Sequence, residues 1–253
     1  MVITSFDNNT IKRIARLADK KYRDETGEYV IEGYRAVKDS LPYLDSAKLV
    51  FSQTAYGLYA DEFAGVDAIV CSDAVFGKLS QTENSQGVVA VVKKREPERR
   101  YESERALFLD RVRDPGNLGT IIRSALATGF TDVYLSGCVD AYNPKVVRSA
   151  VSAVSRVNLF VASISDIAEL KRRGYAFVCA DMGGESIFNV ALPEKICLCV
   201  GNEANGLSDD VRNSADITVS LPMENGESLN AGVCASVMTY VIRYGKKLIS
   251  TGG

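Results

Sequence analysis

Histidine is absent from all 253 residues. That absence excludes a Ser-His-Asp triad, a Cys-His nucleophile pair and a histidine general base. Any proton movement must use Asp, Glu, Lys, Arg, Tyr, Cys or water. Both glycine-rich phosphate loops, G-x-x-x-x-G-K-[ST] and G-x-G-x-x-G, are also missing. No CxxC pair occurs among Cys71, Cys138, Cys179, Cys197, Cys199 and Cys234. Cys197 and Cys199 share one face of the strand-like run ICLCV. Without paired ligands or histidine the cysteines read as buried, reduced thiols, and no metal is expected.

Long hydrophobic runs are missing too. No apolar stretch approaches the roughly 18 residues that span a bilayer. The first residues become charged too early for a secretory signal, so a cytoplasmic protein with no membrane partner is expected. Neither sign of charge dominates: 30 basic and 32 acidic residues leave a net −2. Distribution says more than the sum. Lys12, Arg13, Arg16, Lys20, Lys21 and Arg23 cluster within residues 8–23, a segment that reads as one helix. Such a stripe either contacts phosphates or is a solvated helix face.

What is present is an α/β alternation. Strands at 29–32, 47–52, 67–72 and 88–92 alternate with helices at 34–44, 54–64 and 73–79, a small α/β domain over residues 1–92. Residues 93–105, KKREPERRYESER, are charged and read as a linker. The alternation restarts in a second domain, residues 106–253. Strands are expected at 106–110, 132–135, 157–161, 176–180, 196–200 and 217–221. Helices are expected at 117–129, 144–154, 166–173, 208–214 and 229–247. Continuous apolar strands between helices predict a parallel sheet covered on both faces.

In such sheets ligands bind beyond the carboxyl ends of the strands. Three strand-to-helix loops there are rich in polar and small residues. In DRVRDPGNLGTIIR, Pro115-Gly116 makes a turn, Asn117 is a possible helix cap, and Arg123 is a cation within an apolar helix. Alone, this is a capped helix with one surface arginine. In VGNEANG, Gly201 and Gly206 allow close approach to the backbone, while Glu203 argues against direct phosphate contact. In LPMENGESLN, Leu221-Pro222 ends a strand and Ser228 stands where a helix cap would be.

Together, in this order, NLGTIIR, GNEANG and LPMENGESLN resemble the three signature motifs of the SpoU family, the TrmH-type branch of the SPOUT class of RNA methyltransferases. The first 92 residues look like that family's L30e-like RNA-binding domain, and the remainder like its catalytic unit with a deep trefoil knot. The resemblance implies S-adenosylmethionine-dependent methylation of an RNA ribose 2′-hydroxyl by a homodimer without a metal. It implies Arg123, Asn117, Glu203, Ser228 and Asn230 as catalytic-site residues. It implies Met182, Gly183, Gly201, Leu221, Met223 and Leu229 around the cofactor, with Met182-Gly183 in a turn. Leu221 stands where the family commonly has isoleucine. The L30e-like extension favours ribosomal RNA over transfer RNA. Two other readings compete: a non-catalytic RNA-binding assembly protein on the same fold, which the intact polar set counts against, and another nucleotide-binding α/β enzyme, which lacks a phosphate loop.

Overall fold

The computed structural model describes residues 2–225 and 229–250, with 246–250 described by backbone alone. The chain forms two compact units. One comprises the residues up to Arg95 together with Tyr142–Ser155, and the other the rest.

In the N-terminal part the elements are β1 (Val2–Ile3), α1 (Asn9–Ala15), α2 (Lys20–Thr26), β2 (Glu28–Glu32), α3 (Tyr34–Ser40), β3 (Ala47–Ser52), α4 (Gln53–Tyr59), β4 (Asp67–Cys71), α5 (Asp73–Phe76) and β5 (Val88–Lys93). The sheet order is β1-β4-β3-β5-β2. β1, β4 and β3 are parallel, and β5 runs antiparallel to both β3 and β2. β5 has neighbours on both edges, and its valines and Ala90 are buried as a continuous run, as expected of a strand covered on both faces. Ile11, Ile14 and Leu17 pack against Val50, Val75 and Val89 in the core.

The basic segment is not one helix. α1 is capped by Asn8, whose Oδ1 accepts from Thr10 N at 2.9 Å. A 3-10 turn, Arg16–Ala18, follows. Asp19 then takes an extended conformation and caps α2 by accepting from Lys21 N at 2.7 Å. An aspartate that competes for the backbone in this way favours a helix start over a helix interior. Arg23 is a correction to the basic stripe. It is 2% exposed and donates to Leu17 O and Ala18 O, both at 2.8 Å. These are carbonyls that the break would otherwise leave unpaired. The other cations stay at the surface with local partners. Lys12 pairs with Asp7, Arg13 with Glu28, Lys20 with Asp24 and, at 4.0 Å, Lys21 with Glu25. The Arg16 guanidinium lies over the Tyr22 ring.

The remaining elements are β6 (Arg105–Asp110), α6 (Pro115–Thr128), β7 (Asp132–Ser136), α7 (Pro144–Ala150), β8 (Asn158–Ala162), α8 (Ile164–Arg172), β9 (Ala176–Ser186), β10 (Ile196–Val200), α9 (Asp209–Asn213), β11 (Ile217–Ser220) and α10 (Ala231–Ser250). α7 packs on β2 within the N-terminal compact unit, with Val146 and Val147 buried and the Tyr142 ring 4.7 Å from that of Tyr29. It ends at Ala150, short of the expected 154, because Val151 turns to φ +54°. An apolar helix stripe reports that a face is buried, not which sheet buries it.

The C-terminal sheet has the order β11-β9-β10-β6-β7-β8 and is parallel throughout. Every residue of β10 is buried. Burial holds Cys199 in its thiol form, and Cys179, opposite it in the ladder, is likewise shifted up by their shared hydrogen bond and by burial. β9 is longer than the expected 176–180. Its ladder with β11 jumps from Thr218↔Cys179 to Val219↔Glu185, so residues 180–184 are accommodated in an irregularity. Met182-Gly183, expected in a turn, lies within this stretch of β9. A Cβ on Gly184 would stand 2.7 Å from the Val219 backbone, which keeps that position glycine. Of the charged stretch 93–105, Arg99 pairs with Asp166 over the Phe160 ring, and Tyr101 O accepts from Lys195 Nζ at 3.0 Å. Among the described residues no helix is long and apolar enough to cross a membrane.

Arg23→Ala is expected to lower unfolding stability by about 2 kcal/mol, since it leaves two carbonyls without their donor. Lys21→Ala, at the surface, should change stability by less than about 0.5 kcal/mol. Urea unfolding followed by circular dichroism checks both; equal midpoints for the two variants would contradict the buried role of Arg23.

Candidate active site

A cavity of about 300 Å³ opens where β10 and β11 end, a size within the range of small-ligand sites. Residues 180–182 of β9 form one wall, and the loop from Val200 to Gly206 forms another. Leu221, Met223 and Leu229 supply apolar surface, with Ala231, Cys234 and Met238 of α10 behind them. Of the residues expected around a cofactor, Met182, Gly201, Leu221, Met223 and Leu229 line the cavity; Gly183 does not. Glu203 also lines it, whereas Asn117, Asn230 and Arg123 do not. Ser228 lies outside the described residues.

The 201–206 loop is held by backbone geometry. Asn202 and Gly206 exchange two backbone hydrogen bonds of 2.9 Å. The reversal is so tight that a Cβ on Gly201 would come within 2.2 Å of the Gly206 carbonyl carbon. Asn202 Oδ1 accepts from Ala204 N and Asn205 N at 3.0 and 3.2 Å, and its Nδ2 donates to Arg111 O at 3.0 Å. Asp110, buried at the end of β6, accepts from Ser208 N at 2.6 Å. Both ends of the loop are thus tied to the β6–α6 connection.

That connection corrects one expectation. Asp114, not Asn117, caps α6: its Oδ1 accepts from Asn117 N at 2.8 Å, with Pro115 following at the first helical turn. The Asn117 amide therefore remains available, and Nδ2 donates to Glu203 Oε1 at 2.7 Å. Asn230 Oδ1 accepts from Val233 N at 3.2 Å and so caps α10. A Cβ on Gly232 would lie 3.1 Å from Asn230 Oδ1 and 3.3 Å from Asn117 Oδ1. Residues from all three sequence loops accordingly meet. Ser124 and Ser236 join α6 to α10 through hydroxyls 2.7 Å apart.

Arg123 is placed differently. On α6 its neighbours Ile121, Ile122 and Ala125 are buried, while Arg123 is exposed, with no hydrogen-bond or ionic partner among the described residues. α10, which packs on α6, carries an exposed apolar stripe of Val233, Val237, Tyr240 and Tyr244, spaced to share one helix face.

Sequence reasoning missed Asp181, Asn202, Cys234 and Met238. Helical spacing from Ala231 through Cys234 to Met238 is a signal that could have found the last two. Asp181 had none, because nothing local announces the irregularity in β9. Its Oδ1 accepts from Gly183 N at 3.0 Å and its Oδ2 lies 3.4 Å from Arg212 Nη2. Burial raises the pKa of the Cys234 thiol. Among the described residues no group of three or more Cys, Asp and Glu is arranged to hold a metal ion.

Comparison with known proteins agrees with this layout. Residues 104–240 match the SpoU rRNA Methylase family, and residues 8–90 match the MRM3-like substrate binding domain. The chain is 31% identical to the 23S rRNA (guanosine(2553)-2'-O)-methyltransferase RlmP of Bacillus subtilis, over 95% of this chain and 98% of that protein. It is 29% identical to a 23S rRNA (uridine(2479)-2'-O)-methyltransferase of Streptomyces viridochromogenes, over 89% and 86% of the two chains. The crystal structure of an AdoMet-bound rRNA methyltransferase from Sinorhizobium meliloti superposes with a TM-score of 0.84 at 28% identity, covering 97% of this chain and 98% of that one. With the family matched across the cavity-bearing unit and a relative aligned along nearly the whole length, the chain belongs to the SpoU rRNA methylase family.

Proposed function

We propose that this protein transfers a methyl group from S-adenosylmethionine to a ribose 2′-hydroxyl of ribosomal RNA, acting in the cytoplasm as a homodimer and without a metal. The observation that carries the reading is the meeting of the three loops. Asn117 bonds Glu203, Asn117 lies against Gly232 beside Asn230, and the adjoining cavity has the size and apolar walls for a nucleoside. Leu221, Met223 and Leu229 would flank the adenine, and the Gly201 backbone would border it. The deep trefoil knot implied by the family resemblance is part of the same proposal.

When bound, S-adenosylmethionine supplies an electrophilic methyl group on a sulfonium whose sulfur leaves as a neutral thioether. The ribose hydroxyl that accepts this methyl group would have to give up its proton. The protein has to align the hydroxyl and stabilise the developing alkoxide. Arg123 suits this role in the partner's site. It is exposed, lacks a partner among the described residues, and stands on the helix that packs against α10, whose exposed apolar stripe is the face through which two copies would pack. Arginine stays protonated in proteins, so Arg123 holds an RNA phosphate and the forming alkoxide, and the proton goes to a phosphate oxygen or water. The N-terminal unit holds the RNA. Lys12, Arg13, Arg16, Lys20 and Lys21 are its candidate phosphate contacts, since surface ion pairs are weak enough to exchange.

Calorimetry should show S-adenosylmethionine binding that EDTA leaves unchanged. No binding at millimolar ligand by folded protein would overturn the enzyme reading, and loss only after chelation would overturn the metal-free part. Arg123→Ala should leave folding and cofactor binding intact and lower methyl transfer at least about a hundredfold, the usual loss of a transition-state donor. Arg123→Lys should restore little, because lysine lacks the planar fork. Near-normal turnover of Arg123→Ala in a tritiated-methyl assay would remove Arg123 from the chemistry.

A further inference from the structure

Among the described residues the charges on the cavity wall are of one sign. Asp181 and Glu203 line it, and among the described residues no lysine or arginine does. The two carboxylates differ. Glu203 is engaged by Asn117 Nδ2 at 2.7 Å and by Asn202 Nδ2 at 3.3 Å. Asp181 is held by one backbone N–H, and among the described residues its second oxygen meets only Arg212, whose Nη2 also lies 3.4 Å from Leu207 O. Arg212 belongs to α9 and is not part of the lining. At 3.4 Å and half exposed, it reduces the field of Asp181 without cancelling it. The irregularity of β9 fixes the carboxylate on the sheet.

S-Adenosylmethionine and S-adenosylhomocysteine nearly share a shape. They differ by one methyl group and one positive charge, on sulfur. We propose that Asp181 is a specificity residue that makes this cavity prefer the positively charged sulfonium donor to its thioether product, and that Arg212 sets the strength of the preference from outside. The inference rests on reading the cavity as the S-adenosylmethionine site. Methyl transfer removes the charge that Asp181 attracts, so the reaction itself weakens the hold on its product. Glu203, fixed by the side-chain amides of Asn117 and Asn202, is unchanged in the variants below and so contributes equally to each comparison.

The test is calorimetry on the full-length protein with three probes: S-adenosylmethionine, S-adenosylhomocysteine, and sinefungin, which carries an ammonium in place of the sulfonium. The wild type should bind the two cationic probes about tenfold more tightly than the product, the size of a single partly screened charge pair. Asp181→Asn retains the oxygen that accepts from Gly183 N. It should weaken both cationic probes about tenfold and the product less than about twofold, bringing the ratio near one. Arg212→Gln should move the ratio the other way, widening it severalfold as the carboxylate is unmasked. It carries the test alone if Asp181→Asn fails to fold. Equal weakening of all three probes by Asp181→Asn, or a narrower ratio in Arg212→Gln, overturns the proposal. If the wild type binds all three equally, the cofactor reading stands and this proposal falls. If it binds none, both fall.

Discussion

A 2.7 Å hydrogen bond from Asn117 to Glu203 joins two loops 86 positions apart, and the layout beside the cavity follows from it. The bond exists because Asp114 caps α6 and releases the Asn117 amide from that task. Asn202 and Asp110 then clamp the second loop at both ends against the β6–α6 connection. With the loop so held, Gly201 must be glycine, since its α-carbon faces the returning backbone. The third loop joins where Gly232 leaves room for Asn117 and Asn230. Asn117, Gly201, Asn202, Asn230 and Gly232 thus each have a steric or hydrogen-bonding reason that is independent of chemistry, and the same contacts present Glu203 to the cavity.

The parallel sheet explains why the cavity lies where it does. Strands that all run one way end together, and the loops leaving β10 and β11 gather at that edge. Apolar walls accept a flat base, while the few polar groups give orientation. The irregularity of β9 adds Asp181 to the wall, at a position that regular pairing with β11 would have used for the ladder. Charge in this cavity is therefore a product of strand geometry as much as of composition.

In the N-terminal unit, charge and burial are arranged differently. Six cations in twelve residues look like one stripe, yet Asp19 breaks the helix and turns Arg23 inward to serve carbonyls freed by the break. The other cations remain outside with local partners. Helix α7 shows the same separation between pattern and placement, since its valines are buried against β2 although its sequence lies among the elements of the second sheet.

Much of the molecule was legible in the amino-acid order. Apolar runs between helical stripes are local signals, so the strands at 47–52, 106–110 and 196–200 and the parallel C-terminal sheet could be read directly. The motif residues could also be read, because turns and caps restrict residue types over a few positions. The break at Asp19, the capping by Asp114 and the short α7 were misread where two local preferences competed and long-range packing chose between them. The sequence by itself determined the α/β alternation, the absence of histidine chemistry and the three motifs in which Asn117, Arg123, Glu203 and Asn230 stand. Only the tertiary structure decided that Asn117 meets Glu203, that Asp181 enters the cavity, that Arg23 turns inward and that Arg123 stands apart from its own chain's cavity. The reason is physical: periodicity along a chain encodes which faces are buried, whereas hydrogen bonds and cavities arise between segments whose separation in sequence carries no record of their distance in space.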